Sequence, residues 1–226
     1  MIEHIEQGTL APNIRACIAL TSWKKRINTV GLTIYNLFET CGPDYHIVLT
    51  LAEEEFPKKE QELPKDLLLM NRAGMFEILW VKKNYKPFKK WIFSAARYSN
   101  VPIISADDDC VYTCNYAEEL YRKWKSNPSL NGIRYEYGRL MQMQGPTSLY
   151  YLPKNVVYAI IALIDDTIIR TGEDDPIMYK FMKIYKCKFG FVHEHIKKPY
   201  IFHDTIAPLH SDETFKKLPG FRDAFT

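Results

Sequence analysis

The chain has 226 residues, 46% of them hydrophobic, enough to bury a core in one good-sized domain, which excludes a disordered protein. Lys and Arg total 30 against 27 Asp and Glu, a formal charge of +3, too slight a surplus for a phosphate-neutralising face and so an argument against a nucleic-acid reader. No apolar run approaches the roughly 18 residues that span a bilayer, and residues 1–12 lack the basic start and apolar centre of a signal peptide, so a cytoplasmic location is expected.

In chain order, residues 14–20 are apolar and β-leaning, and Thr21-Ser22 with Lys24-Lys25-Arg26 then open a helical pattern through Ile34, Leu37 and Phe38. Residues 46–51 read as a second buried strand, 60–70 as a short helix after Pro57, and 77–81 as a third strand. Residues 88–98 carry Trp91, Ile92, Ala95 and Ala96 at helical spacing behind Pro87, a residue suited to a first turn. A short apolar strand, 101–105, ends in acid, and a helix follows over 115–124. Residues 133–137 and 149–152 read as strands, 156–163 as a buried helix, and 176–185 as a helix capped by the acids before it.

This alternation predicts an α/β fold: a mostly parallel, Rossmann-like central sheet with helices on both faces and a mixed second half. With no repeat, low-complexity tract or Gly/Ser linker, residues 1–226 are read as a single domain. The cysteines, Cys17, Cys41, Cys110, Cys114 and Cys187, are odd in number and sit mostly in apolar segments, so packing rather than a disulfide framework is expected. Cys110 and Cys114 lack the second ligand pair that a structural zinc needs.

The stretch with the most chemistry is Val101-Pro102-Ile103-Ile104-Ser105-Ala106-Asp107-Asp108-Asp109, an apolar strand delivering three carboxylates to one carboxyl-terminal edge. Open α/β sheets bind ligands at that edge. Adjacent carboxylates repel unless a cation lies among them, and oxygen ligands favour a hard divalent ion, Mg²⁺ or Mn²⁺, which can bridge a diphosphate. An Asp triplet in isolation is more often a solvated acidic turn; its place directly after a buried strand reverses that preference. A second group, Glu173-Asp174-Asp175, precedes Pro176; Asp175 is the natural helix cap, which leaves Glu173 or Asp174 either as a solvated acid or as a carboxylate that could take a proton from an attacking hydroxyl, and these residues alone favour neither. Basic loops after the first strand (Thr21 to Arg26) and third strand (Asn84 to Lys90) emerge at the same edge of a parallel sheet.

Taken together these residues resemble the GT-A class of nucleotide-sugar glycosyltransferases, and more narrowly the small bacterial enzymes of capsule and lipopolysaccharide synthesis. The resemblance rests on an ordered series: Ala19-Leu20-Thr21-Ser22-Trp23-Lys24-Lys25-Arg26-Ile27, Leu51-Ala52-Glu53-Glu54-Glu55-Phe56-Pro57 with Leu63-Pro64, and Asn84-Tyr85-Lys86. It continues through Ile103 to Tyr112, Gly145-Pro146 with Tyr151-Leu152-Pro153, and Glu173-Asp174-Asp175. It implies a uridine-linked sugar donor whose diphosphate is held by Mn²⁺ or Mg²⁺ at Asp109 and Asp107, a DXD-type motif. Asp108 lies between them and is assigned, like Asp107, to the nucleotide side.

Thr21, Ser22 and Arg26 would lie beside the nucleotide, with Lys86 near the phosphates or sugar, and His203 is the candidate for a late metal ligand. Asp174 matches the acid that deprotonates the acceptor hydroxyl in inverting members, with Asp175 and Glu173 beside it. The resemblance also divides the domain into a nucleotide-binding half, about 13–114, and an acceptor half, about 115–226. Related chains carry an aromatic residue two positions after the paired aspartates, whereas this one has Pro176-Ile177.

His193 and His195, alternating on an expected strand, read as a hydrogen-bonded structural pair. Lys197-Lys198, Lys216-Lys217, Phe215 and Phe221 are candidates for a peripheral contact with an anionic membrane bearing a lipid-linked acceptor. Two other readings compete. A haloacid dehalogenase-type phosphatase would use an Asp of the triplet as nucleophile, but its motif ordinarily follows the first strand. A non-catalytic nucleotide- or sugar-binding module would use some of the 15 Tyr and 4 Trp for stacking.

Overall fold

Apolar residues buried on both sides of a pleat form the central strands of a parallel sheet. The computed structural model describes residues 4–136, 147–172, 174–193 and 200–202. Its strands are β1 (Ala16–Thr21), β2 (Tyr45–Ala52), β3 (Glu77–Val81), β4 (Ile103–Ser105), β5 (Cys110–Tyr112), β6 (Gly132–Glu136), β7 (Ser148–Tyr150), β8 (Phe189–His193) and β9 (Tyr200–Phe202). Its helices are α1 (Val30–Cys41), α2 (Lys65–Arg72), α3 (Ile92–Arg97), α4 (Tyr116–Ser126), α5 (Lys154–Leu163), α6 (Asp166–Thr171) and α7 (Asp174–Ile184).

Seven strands make one sheet in the order β3-β2-β1-β4-β7-β6-β8, and β5 pairs with β9 in a second, two-stranded one. The pairs β1–β2, β2–β3, β1–β4 and β6–β8 are parallel; β7 runs antiparallel to both β4 and β6. This is the Rossmann-like architecture with a mixed second half that the alternation of elements predicts.

Along β1, Cys17 and Ala19 face one layer while Ala16, Ile18 and Leu20 face the other. The first face packs against α3, α5, α6 and α7 through Phe93, Ile160, Ile169 and Met178; the second packs against α1, α2 and α4 through Ile34, Leu67 and Leu120. Both layers draw on residues from either side of position 114.

Four expectations need correction in detail. The helix predicted at 60–70 is a 3-10 turn, Lys59–Glu62, followed by α2, because Pro64 holds Leu63 extended, at φ −89° and ψ 150°. The helix predicted at 88–98 is likewise a 3-10 turn, Lys86–Lys89, and then α3. The break falls at Trp91, whose φ of −126° lies outside helical space, and both Phe88 and Trp91 are buried in the same layer. The strand predicted at 101–105 starts at Ile103, since Pro102 has no N–H for a ladder; its carbonyl accepts from Cys17 N at 2.9 Å. Finally α7 begins at Asp174, so Asp175 lies in the first turn and is not the cap. Pro176 is tolerated there because the first four N–H groups of a helix have no intrahelical acceptor.

Among the described residues no helix is long and apolar enough to cross a membrane. Glu173, His195, Gly145, Pro146, His203, the lysines at 197, 198, 216 and 217, Phe215 and Phe221 lie outside the described residues.

Candidate active site

The strand order reverses between β1 and β4, which lie side by side while their following segments lead away to opposite sides. Such a reversal opens a crevice at the carboxyl ends of the strands, and the acid turn 107–109 leaves β4 there. Its backbone is fastened on several sides. Thr33 Oγ1 of α1 lies 3.0 Å from the Asp108 carbonyl and 2.9 Å from that of Cys110, and donates to both. Asp107 N donates to Tyr112 Oη at 3.0 Å, Tyr112 stacks on Tyr116 with centroids 4.5 Å apart, and Tyr116 Oη donates to the Ser105 carbonyl at 3.2 Å.

The carboxylates meet protein cations as well as each other. Arg26, from the loop after β1, places Nη2 at 3.0 Å from Asp108 Oδ1 and Nη1 at 2.6 Å from Asp109 Oδ2. Ser22 Oγ donates to Asp108 Oδ2 at 2.7 Å. Asp108 is only 3% exposed, and burial pushes its carboxyl up to about 6 against the pull of Arg26 and Ser22. Asp108 and Ser22 are therefore engaged within the wall of the site, and Arg26 is the buried cation that aligns the turn. Repulsion within the triplet is relieved by Arg26 and Lys90, so charge repulsion by itself does not call for a metal.

Lys90 joins the two acidic groups. Its Nζ lies 2.7 Å from Asp107 Oδ1 and 3.4 Å from Asp174 Oδ2, at the start of α7. Burial alone would lower this ammonium, but Asp107, Asp174 and Asp175 outweigh it and hold it well above its ordinary value. Asp175 moves the other way: burial, then the charge of Asp174, pushes it well above the usual carboxylate range, toward the protonated form. Tyr150, stacked on Trp91 with centroids 4.0 Å apart, is raised by burial and by Asp175. Lys90 was legible only as one of several lysines in a basic loop. Nothing in the spacing of Lys86, Lys89 and Lys90 tells which of them turns inward.

Glu55 ties the loops after β1, β2 and β3 together. Its Oε1 accepts from Lys24 N at 3.1 Å and its Oε2 from Asn84 Nδ2 at 3.4 Å, while Glu54 Oε2 accepts from Asn84 N at 2.8 Å. Lys89 is 2% exposed and donates from Nζ to Asn84 Oδ1 at 3.2 Å and to the Lys86 carbonyl at 3.1 Å. Burial lowers it to about 8, against the opposing charges of Glu55 and Asp108. Lys86 is left exposed on this braced turn, and Thr21, half-buried at the end of β1, donates from Oγ1 to the Thr50 carbonyl at 2.7 Å.

One oxygen, thiol or carboxylate atom each from Asp107, Asp109 and Cys110 lies within 4.8 Å of the others. The Cys110 thiol is pushed up by burial and kept from the thiolate form that binds metal. The hard donors are then the two carboxylates. Asp107 meets Lys90 through Oδ1 and Asp109 meets Arg26 through Oδ2, so each keeps one oxygen outside these ion pairs. Two carboxylate oxygens with the remaining positions open suit Mg²⁺ or Mn²⁺.

No family model matches the chain, and no curated protein matches it. Among solved structures it is similar to a cytidylyltransferase from Leptospira borgpetersenii serovar Hardjo-bovis (strain JB197), with a TM-score of 0.53 and 11% identity over 81% of this chain and 76% of that one. At that identity the likeness is one of fold, and it places the chain in the Rossmann-like α/β class.

Proposed function

We propose that this chain is a metal-dependent glycosyltransferase that moves a sugar from a nucleotide-sugar donor, uridine-linked, to a hydroxyl of a glycan or lipid-linked acceptor. The observation that carries the reading is the single ammonium of Lys90 lying within 3.4 Å of both Asp107 and Asp174. It brings the acid turn at the crevice and the acids of α7 to a common point, as a transfer between two substrates requires. The order of motifs resembling GT-A enzymes supports the donor class, and a role in bacterial surface polysaccharide synthesis rests on that resemblance alone. The acid turn follows the fourth strand rather than the first, which weighs against the phosphatase reading.

In this mechanism Asp109 and Asp107 would hold Mn²⁺ or Mg²⁺, which would supply Lewis-acid neutralisation of the diphosphate. His203, outside the described residues, is named as a further ligand by the resemblance alone. Exposed Lys86 and the hydroxyl of Thr21 border the donor. Asp174 accepts the proton of the acceptor hydroxyl as its oxygen bonds to the anomeric carbon, and the electron pair of the breaking C–O bond leaves with the diphosphate. Asp175, pushed toward its protonated form by burial and the charge of Asp174, is the poorer base.

A second reading has a specific observation in its favour. One solved structure of similar fold is a cytidylyltransferase, and nucleotidyl transfer would use the same acids around a triphosphate. The two readings differ in the bond broken. Purified protein with Mn²⁺ should release nucleoside diphosphate from a nucleotide sugar, most readily a UDP-sugar, and EDTA should stop it. Pyrophosphate released from CTP and a sugar phosphate, with nucleotide sugars left intact, would establish nucleotidyl transfer instead. Turnover of simple phosphoesters alone would restore the phosphatase reading.

A further inference from the structure

Arg134 on β6 is 5% exposed, yet among the described residues neither its Nη1 nor its Nη2 has a hydrogen-bond partner. Its guanidinium carbon lies 5.4 Å from the Tyr179 ring centroid and 4.7 Å from that of Phe191. Those rings attract the faces of the cation, but they leave unused the in-plane N–H fork that matches a carboxylate or phosphate. A buried charge without pairing is costly, and packing alone would be served as well by an apolar side chain of similar volume. The residue therefore points to an absent anion.

Its place in the sheet says whose anion. Arg134 is opposite Ser148 of β7, and Ser148 N donates to Ser105 Oγ at 3.2 Å, so Arg134 is level with the end of β4 where the acid turn begins. It lies on the far side of β4 from β1, away from the nucleotide crevice. Tyr179 belongs to α7, the helix that opens with Asp174.

We propose that Arg134 is an anion-recognition residue on the acceptor side of the site, taking a carboxylate or phosphate group carried by the acceptor. The word acceptor rests on the transfer reading above; anion binding at Arg134 does not. The probes are glucuronate, glucose 6-phosphate and neutral glucose at matched ionic strength, followed by thermal stabilisation and by the side-chain nitrogen resonances of ¹⁵N-arginine-labelled protein. Wild-type protein should bind one or both anions at least about tenfold more tightly than glucose, with the Arg134 resonances moving on binding. Preference for glucuronate identifies a carboxylate acceptor, preference for glucose 6-phosphate a phosphorylated one.

Arg134→Met should lose at least about tenfold in anion affinity while its melting temperature stays level or rises, since no partner is left unpaired. Arg134→Lys should recover only part of the binding, because an ammonium lacks the fork. Equal binding of glucose and both anions by wild type, unmoved Arg134 resonances, or undiminished anion affinity in Arg134→Met would each overturn the proposal. The wild-type resonances decide the matter even if the variants fold poorly. Release of UDP from a UDP-sugar by wild type is scored separately: anion binding without that release would sink the transfer reading and leave the Arg134 site standing.

Discussion

Asp109, Asp174, Lys90 and Lys89 make separable demands on the chemistry. Asp109→Ala removes a hard donor at the leaving group and should lower nucleotide-sugar turnover by about 10²–10³-fold or more, measured as UDP release at saturating Mn²⁺. Asp174→Asn, isosteric but unable to take a proton, should lower acceptor-dependent transfer by about 10²–10⁴-fold. Transfer by either variant near the wild-type rate would remove that residue from the mechanism. Lys90→Met leaves Asp107, Asp174 and Asp175 without their shared cation. Urea unfolding should show a loss of about 3–5 kcal/mol, the size expected when one partner of a buried ion pair is removed.

Lys89 gives a pH signature. Its folded value of about 8 lies below the ordinary 10.5, so the folded state favours the neutral amine. The associated stability is present above pH 10.5 and is lost as pH falls toward 8. The gap between wild type and Lys89→Met, followed by denaturation between those pH values, should change by up to about 3 kcal/mol in that direction. A flat difference would show that Lys89 is not perturbed by burial. The sequence marks Lys89 and Lys90 only as charge; their opposite shifts arise from what each side chain meets after folding.

At the scale of elements, α1 acts as the clamp of the acid turn. Its hydrophobic periodicity buries Val30, Ile34 and Leu37, and that burial carries Thr33 to the carbonyls of Asp108 and Cys110. Thr33→Val keeps the shape and removes the donor. It should cost about 1–3 kcal/mol by thermal or urea unfolding, and should weaken Mn²⁺ binding by about 10–100-fold through the loosened turn, measured by titration calorimetry. Unchanged metal affinity would assign Thr33 to the core alone. The existence and kind of the long elements could be read from periodicity, as for α1, β1 and β2, whereas their interruptions could not. Pro64 is visible in the sequence, but only the backbone at Trp91 shows where the segment after β3 divides. The residues of β5 pair with β9, about ninety positions later, and no local pattern announces such a partner.

For the whole molecule, the two hydrophobic layers each combine residues from before and after position 114. A fragment of residues 13–114 would leave β4 without β7 and expose Ile103 and Tyr98, which pack with Val157 and Met178 in the same cluster. Expressed alone, it should aggregate or lack a cooperative unfolding transition, as judged by size-exclusion chromatography and thermal denaturation. A soluble, cooperatively folding fragment would instead divide the chain into two domains.

The amino-acid order by itself determined the α/β class, the strand that delivers Asp107, Asp108 and Asp109, and the existence of a helix over 176–185, because periodicity and chain adjacency are local properties. Tertiary structure alone decided that Arg26 and Lys90 answer the charge of the acid turn, that Asp174 shares Lys90 with Asp107, and that Arg134 is buried beside two aromatic rings. Those outcomes depend on side chains far apart in sequence meeting where water is scarce. There the local dielectric sets both the cost of a charge and the worth of its partner.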